Sequence, residues 1–259
     1  MQKEKIRLDD RLVSLGLCKD KKEALSFILS GSVLVNDEPV TKIGFHIRIT
    51  DNIRVREIIK QYVSRGAKKL LGALEAFPKA NPKNKICWDW GASTGGFTQV
   101  LLEKEAKHVY SVDVGYGQLA QKLANHKSVT VLDRTHIKEL NWELLGGKSD
   151  SIFITMDLSF ISLLSVFPTI TRLAKESSDT NWEGISLLKP QFEAKEKDLT
   201  EGIVKDPLVI GKIIRQVWRE IRKQDHSIKI LRIVESPIKG TEGNREFLFW
   251  WRKEGKNLK

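Results

Sequence analysis

From Lys85 onward, short apolar runs alternate with segments whose apolar residues recur every three or four positions. The runs at 86–90, 108–113, 128–132, 152–157, 184–189, 228–235 and 245–251 have the length and composition of buried strands. The stretches 96–105, 116–125, 161–174 and 206–224 carry helical periodicity. Such alternation predicts an α/β fold, a doubly wound parallel sheet with helices on both faces. The short connection between the last two runs allows the final strand to run antiparallel.

The pattern before residue 60 is different. Leu8, Leu12 and Leu15 fall at helical spacing and stop at Gly16. Asp20 suits the N-cap of a second helix with apolar positions Ala24, Leu25, Ile28 and Leu29, ended by Gly31. The stretch SVLVNDEPVTK alternates like a strand, turns at Asn36-Asp37 and resumes, and Asn52–Val55 supplies a last short strand. These elements predict a compact α+β domain over 1–60. A linker over about 56–64 leads into a helix from Arg65 to about Phe77, after which Pro78 and Pro82 break the chain. The second domain is expected to span 65–259.

Charge changes the picture more than composition does. The chain holds 44 Lys and Arg against 33 Asp and Glu, a formal charge of +11. A surplus of that size suits a surface that faces phosphate. The first 60 residues hold 12 basic and 9 acidic side chains, so most of the excess lies beyond them. Cys18 and Cys87 are the only cysteines, which offers no disulfide framework and fits a reducing compartment. The N-terminal residues lack the apolar stretch of a secretory signal, and no window holds the roughly 18 apolar residues of a membrane span. A cytoplasmic protein with no membrane partner is expected.

The chemistry-bearing residues cluster at predicted strand ends. Ile86–Phe97 reads as strand, glycine-rich turn and helix, with glycines at 91, 95 and 96. It lacks the Gly-Lys-Ser/Thr of a phosphate loop, and its spacing is not G-x-G-x-x-G. The form D-x-G-x-x-x-G-G-F resembles instead the first motif of the class I methyltransferases, which have a Rossmann-like fold. That resemblance implies S-adenosylmethionine as cofactor. Gly91, Ala92, Ser93, Gly95, Gly96 and Phe97 would then surround its methionine end, with Asp89 near the amino group. Asp113, ending the second strand 22 residues after Gly91, suits the two ribose hydroxyls. Asp133 stands where such enzymes contact the adenine amino group, although aspartate at a strand end is equally an ordinary helix cap.

The fourth strand ends in Asp157-Leu158-Ser159-Phe160, not in the N-P-P-Y or D-P-P-Y of base amino-group methylation. Neither cysteine stands where carbon-5 methylation of pyrimidines needs its nucleophile. What the strand ends and the opening helix offer is Lys69, Asp157, Lys189 and Glu246. This set resembles the Lys-Asp-Lys-Glu tetrad of ribose 2′-O-methyltransferases, though any one of them alone could be a surface charge. No metal is required. A ribose hydroxyl is a weak nucleophile, so oxygen and methyl must be aligned while a proton leaves. Lys189 is the candidate base; the alternative is a tetrad that only steers the hydroxyl.

Two family resemblances cover the chain. Residues Arg7–Asp9, Gly16-Leu17, Ala24, Gly31–Asn36, Val40, Lys42 and Asp51–Val55 resemble the S4 RNA-binding domain. This implies RNA contacts through Arg7, Arg11, Lys21, Lys22 and Lys42, with Arg65 and Lys68 beyond the linker. Where the family has Ser-Arg opening its second helix, this chain has Asp20-Lys21, which keeps the cap and the charge but not the fork of arginine. Asp9 reads as structural. The stretches SRGAKKL (64–70), DWGASTGGF (89–97), VDVGYGQL (112–119), DLSFISL (157–163), LLKPQFE (187–193), GIVKDP (202–207) and SPIKGTEGNREF (236–247) are similar to the TlyA group of rRNA methyltransferases, also called haemolysin A proteins. That resemblance implies 2′-O-methylation of cytidine in 16S or 23S ribosomal RNA, with ribosomal subunits as partners. Members commonly carry His before the catalytic lysine; here Lys68 precedes Lys69, which takes the role. Two other classes compete: a membrane-lytic haemolysin, which needs a membrane-seeking segment that is not evident, and a silent ribosome-assembly factor, which the intact tetrad opposes.

Overall fold

A computed structural model describes residues 5–55, 62–240 and 242–255. The chain divides into two compact units, Met1–Gln61 and Tyr62–Lys259. Most of the predicted linker, residues 56–61, lies outside the described residues.

In the first unit, β1 (Lys5–Arg7) leads directly into α1 (Leu8–Ser14), and α2 (Lys21–Leu29) follows. Asp20 caps α2 by accepting from the Glu23 amide at 2.8 Å. Strands β2 (Val33–Val35) and β3 (Glu38–Pro39) form the predicted hairpin, with Asn36 and Asp37 both at positive φ, as a primed two-residue turn requires. β5 (Ile53–Val55) pairs with the other edge of β2, and β4 (His46–Arg48) pairs antiparallel with β1. Leu8, Leu12, Ala24, Ile28, Val33 and Ile47 close the core. Leu15 and Leu29, expected on the buried helix faces, are 44% and 59% exposed. Both stand where their helix ends, just before Gly16 and Gly31 turn the chain through positive φ.

The second unit is built on one seven-stranded sheet. Its strands are β6 (Ile86–Trp90), β7 (His108–Val112), β8 (Val129–Leu132), β9 (Ser151–Met156), β10 (Asn181–Leu188), β11 (Lys229–Glu235) and β12 (Phe247–Lys253). Their order across the sheet is β11-β12-β10-β9-β6-β7-β8. Six point the same way, and β12 alone among the described strands of this sheet runs against them, between β10 and β11. The order reverses beside β6, the switch point at which such sheets open a crevice beyond the strands' carboxyl ends.

Helices α3 (Ala67–Ala76) and α4 (Gly96–Glu103) bury Leu70, Ala73, Val100 and Leu101 on one face of the sheet. On the other, α6 (Phe167–Glu176) and α7 (Pro207–Gln224) cover a core that holds Trp88, Trp90, Trp142 and Trp182. Trp142 and Trp182 meet edge to face, and each meets Trp88 the same way, all at 5.5 Å between centroids. The helix expected at 116–125 is only α5 (Gln121–Ala124), because the preceding residues turn back and the Gly117 amide is tied to Asp133. The one expected from 161 begins as a 3-10 turn at Leu163–Ser165, and α6 starts only at Phe167, with Pro168 in its first turn.

Candidate active site

The glycine-rich turn leaves β6 at Gly91, whose φ is +81°. A Cβ there would sit 2.6 Å from the carbonyl oxygen of Asp157, so the close approach of the β6 and β9 ends depends on glycine. Gly95 (φ +98°) opens α4, and a Cβ there would strike Leu119, 2.7 Å away. It is a packing glycine against the α5 region and does not line the cleft. Between them, the Ser93 amide donates to Asp113 Oδ2 at 2.8 Å, and the Gly115 amide donates to Oδ1 at 2.8 Å. One carboxylate thus fixes both turns.

Two joined cavities open around this turn. The larger, about 550 Å³, lies among Gly91, Ser93, Asp113, Val114, Gln118, Thr135, His136, Ile137 and the segment Asp157–Ile161. The smaller, about 280 Å³, is lined by Ser64, Arg65, Gly66, Lys69, Gly91–Thr94, Gly96, Phe97, Asp157, Ser159, Lys189 and Glu246. Both fall in or near the size range of small-ligand clefts.

The predicted tetrad converges in the smaller cavity. Lys69 comes from α3, Asp157 follows β9, Lys189 follows β10, and Glu246 precedes β12. Lys69 Nζ lies 3.1 Å from Asp157 Oδ2 and 2.8 Å from Glu246 Oε2, the latter an ion-pair contact off the hydrogen-bond axis. Lys189 Nζ lies 2.8 Å from Asp157 Oδ1 and donates to Ser159 Oγ at 2.9 Å. Asp157 therefore bridges two ammonium groups, and Lys69 bridges two carboxylates. The side chains of Lys69, Lys189 and Glu246 are 8%, 9% and 3% exposed, so they attract one another through poorly screened surroundings. Helix phase separates the two neighbouring lysines: Lys69 shares the buried face with Leu70 and Ala73, while Lys68 is exposed.

Two of the expected cofactor carboxylates lie elsewhere. Asp89 is fully buried and lines neither cavity. It accepts from Thr98 Oγ1 at 2.7 Å and Thr155 Oγ1 at 2.9 Å, and burial raises its carboxyl to about 6. On β6, Asp89 alternates with Trp88 and Trp90 and points toward α4, beneath the turn. Asp133 also lies outside the cavity lining; its carboxylate accepts from the Gly117 amide and stabilises that bend.

Of the basic residues expected to meet RNA, Arg65 lines the smaller cavity, and Lys22, Lys42 and Lys68 are exposed. Arg7 grips Asp9 with both ends of its fork, at 3.0 and 2.7 Å, and Lys21 reaches Asp10 at 2.9 Å. These pairs hold Asp9, itself 1% exposed, below the usual carboxylate range, which agrees with its structural reading. Arg11 is half-buried, its Nε without a hydrogen-bond partner.

Sequence reasoning missed four contributors. Ser159 anchors Lys189. Phe160 is 90% exposed at a φ of +62°, an uncommon posture for an aromatic residue on a cleft wall. Glu193 accepts from Ser162 Oγ at 2.5 Å and the Leu163 amide at 2.7 Å, tying the segment after β9 to that after β10; burial raises its carboxyl. The fourth contributor is the wall Thr135–Ile137. Ser159, Phe160 and Glu193 all lie in stretches already singled out, and their signal was proximity to Asp157 and Lys189.

Comparison with known proteins agrees with this geometry. Residues 62–253 match the FtsJ-like methyltransferase family, and residues 6–53 match the S4 domain. The 16S/23S rRNA (cytidine-2′-O)-methyltransferase TlyA of Mycobacterium tuberculosis is 39% identical over 250 residues, covering 96% of this chain and 90% of that protein. Hemolysin A of Brachyspira hyodysenteriae is 39% identical over 244 residues, covering 94% and 98%. The solved structure of a candidate hemolysin from Streptococcus thermophilus superposes with a TM-score of 0.68 at 32% identity, covering 97% of this chain and 90% of that one. With an S4 domain ahead of a methyltransferase fold, and likeness to these relatives along nearly its whole length, the chain belongs to the TlyA (hemolysin A) family of FtsJ-like methyltransferases.

Proposed function

We propose that this protein transfers a methyl group from S-adenosylmethionine to the 2′ oxygen of a cytidine ribose in ribosomal RNA. The observation that carries the reading is the Lys69–Asp157–Lys189–Glu246 cluster beside the glycine-rich turn, three of its members buried and Asp157 half-buried. The Mycobacterium tuberculosis relative is named as a 16S/23S rRNA (cytidine-2′-O)-methyltransferase, which supplies the substrate class. Residues 1–61 serve as the RNA-binding unit and 62–259 as the catalytic one, in the cytoplasm where ribosomal subunits are made.

The larger cavity suits the cofactor in size and donor set. Asp113 offers acceptors for ribose hydroxyls, Gly91 lets a ligand approach the backbone, and Gln118, Thr135, His136 and Ile137 form the far wall in place of Asp133. When bound, S-adenosylmethionine supplies an already activated methyl group. The chain's own task is to orient the ribose hydroxyl and take its proton. Lys189, fixed by Asp157 and Ser159, is the base once its ammonium has released a proton to solvent and its neutral amine can accept that of the hydroxyl. Lys69, fixed by Asp157 and Glu246, stays charged, orients the hydroxyl and stabilises the negative character that develops on its oxygen. Phe160 presents an aromatic face at the cleft wall on which a base drawn out of the RNA can stack.

Lys189→Arg tests the assignment. Arginine keeps the charge but does not release its proton at any workable pH. Cofactor and RNA binding should persist, while single-turnover methyl transfer falls by about two to four orders of magnitude. A rate within threefold of the parent would make Lys189 a positioning residue. An alkali-sensitive product would put the methyl on a base and overturn the ribose reading itself.

A further inference from the structure

Most of the chain's positive surplus lies outside the S4 unit, and part of it is organised. Along α7, Arg215, Trp218, Arg219 and Arg222 recur at helical spacing and form one stripe, which with Lys223 and with His226 just past the helix end lines a shallow depression of about 340 Å³. Glu220 is the carboxylate within this group, and it is shared by Arg219 at 3.4 Å and Lys223 at 2.9 Å. Among the described residues no acidic group pairs with Arg215 or Arg222, and both are exposed. Trp218 is 39% exposed in their midst. Core packing does not explain these residues, since the opposite face of α7 (Ile210, Ile213, Val217, Ile221) performs that task.

We infer that this stripe is a second RNA-contact surface, which grips the phosphate backbone of the substrate outside the catalytic cleft while Trp218 stacks on an unpaired base or a sugar. The inference rests on the rRNA reading for the identity of the RNA. Two unpaired guanidiniums beside a half-open indole match what RNA presents, paired phosphate oxygens and π-faces, in a way that scattered lysines do not. An anionic membrane would use the same charge but needs an apolar face to insert, and the apolar face of α7 is already in the core. The helix that carries the stripe is tied to the chain just past the cleft: Gln224 Nε2 donates to the Leu164 carbonyl at 3.0 Å, and Leu164 follows the cleft-lining segment Asp157–Ile161.

The test uses the full chain, an unmethylated rRNA transcript, and the double variant Arg215→Gln/Arg222→Gln. Each phosphate contact releases about 0.7–0.9 counterions, so losing two lowers RNA affinity about tenfold near 0.15 M salt and the log–log salt slope by about 1.5. Single-turnover rate at saturating RNA and cofactor affinity should hold, and Arg215→Lys/Arg222→Lys should restore the slope but only part of the affinity. Trp218→Ala should weaken binding with the slope unchanged. An unchanged affinity and slope in the glutamine variant would overturn the inference. So would loss of co-flotation with phosphatidylglycerol vesicles in that variant, with rRNA binding intact, because the surface would then belong to lipid. RNA binding is read apart from the methylated product, so a parent that binds rRNA through the stripe but methylates a base refutes only the ribose reading.

Discussion

Replacing Asp89 with asparagine separates two roles that a carboxylate beneath the glycine-rich turn can have. If Asp89 is a buried strut, its ionisation is a burden on the fold. Burial raises the carboxyl from 3.8 to about 6, even with Thr98 and Thr155 donating to it. The folded chain then holds this proton over a range in which the unfolded chain has released it. The stabilisation is complete below about pH 4 and is lost as pH rises through about 6. The full difference is about 3 kcal/mol, of which about 1.4 kcal/mol falls between pH 5 and 7.5. Asparagine can accept from Thr155 and donate to Thr98, whose hydroxyl can turn to Ser111 Oγ, 2.8 Å away. The variant should therefore be at least as stable as the parent at pH 7.5 and lose about 1.4 kcal/mol against it at pH 5. In melting temperature that differential is about 3–6 °C. Calorimetric affinity for S-adenosylmethionine should stay within threefold, whereas loss of a direct contact to the cofactor's ammonium would cost about 1.5–3 kcal/mol, at least tenfold. A pH-independent stability difference, or a tenfold fall in cofactor affinity, would refute the strut reading.

Asp113→Ala should weaken cofactor binding by about 1.5–3 kcal/mol in titration calorimetry, because it removes the ribose acceptors along with the groove-side ties to Ser93 and Gly115. Unchanged affinity would remove Asp113 from the site. Deleting residues 1–61 should leave a folded unit that binds cofactor with the parent's affinity and methylates rRNA poorly at low RNA concentration. Full-rate modification by the truncated protein would show that the S4 unit is not the main anchor.

The sheet was legible because its strands are long apolar runs whose ends carry the chemistry. Lys69, Asp157, Lys189 and Glu246 could be read as a set since each stands at a predicted strand end or on the opening helix, where a doubly wound sheet brings distant residues together. What escaped was set by direction and by short range. Asp89 and Asp133 were at plausible distances along the chain, but strand alternation turned the first toward α4, and a local amide claimed the second. The β1–β4 ribbon was hidden because three-residue strands such as Lys5–Arg7 and His46–Arg48 carry one apolar residue between charged or polar ones. Phe160 was passed over because an apolar residue after a strand reads as core, whereas in the structure it is 90% exposed at a positive φ.

The distribution of charge bears on how such an enzyme uses its binding energy. The chain carries a formal +11, yet the tetrad pairs two lysines with two carboxylates and adds no net charge to the cleft, where Asp113 is a further anion. A strongly cationic cleft would draw in any phosphate and would oppose a cofactor that is itself a sulfonium cation. A balanced cleft avoids both and leaves the two lysines oriented by fixed partners, so little reorganisation is needed when the hydroxyl oxygen gains negative character beside Lys69. RNA affinity must then come from surfaces away from the chemistry, among them the exposed lysines of the first unit and the α7 stripe. Energy gained there can be spent on holding one ribose in line, which is how remote contacts raise the rate of a step they do not touch. The same division predicts that salt acts on one step and not the other: added salt should raise KM for rRNA steeply, while the single-turnover rate of bound RNA stays nearly constant because the largely buried ion pairs are little screened.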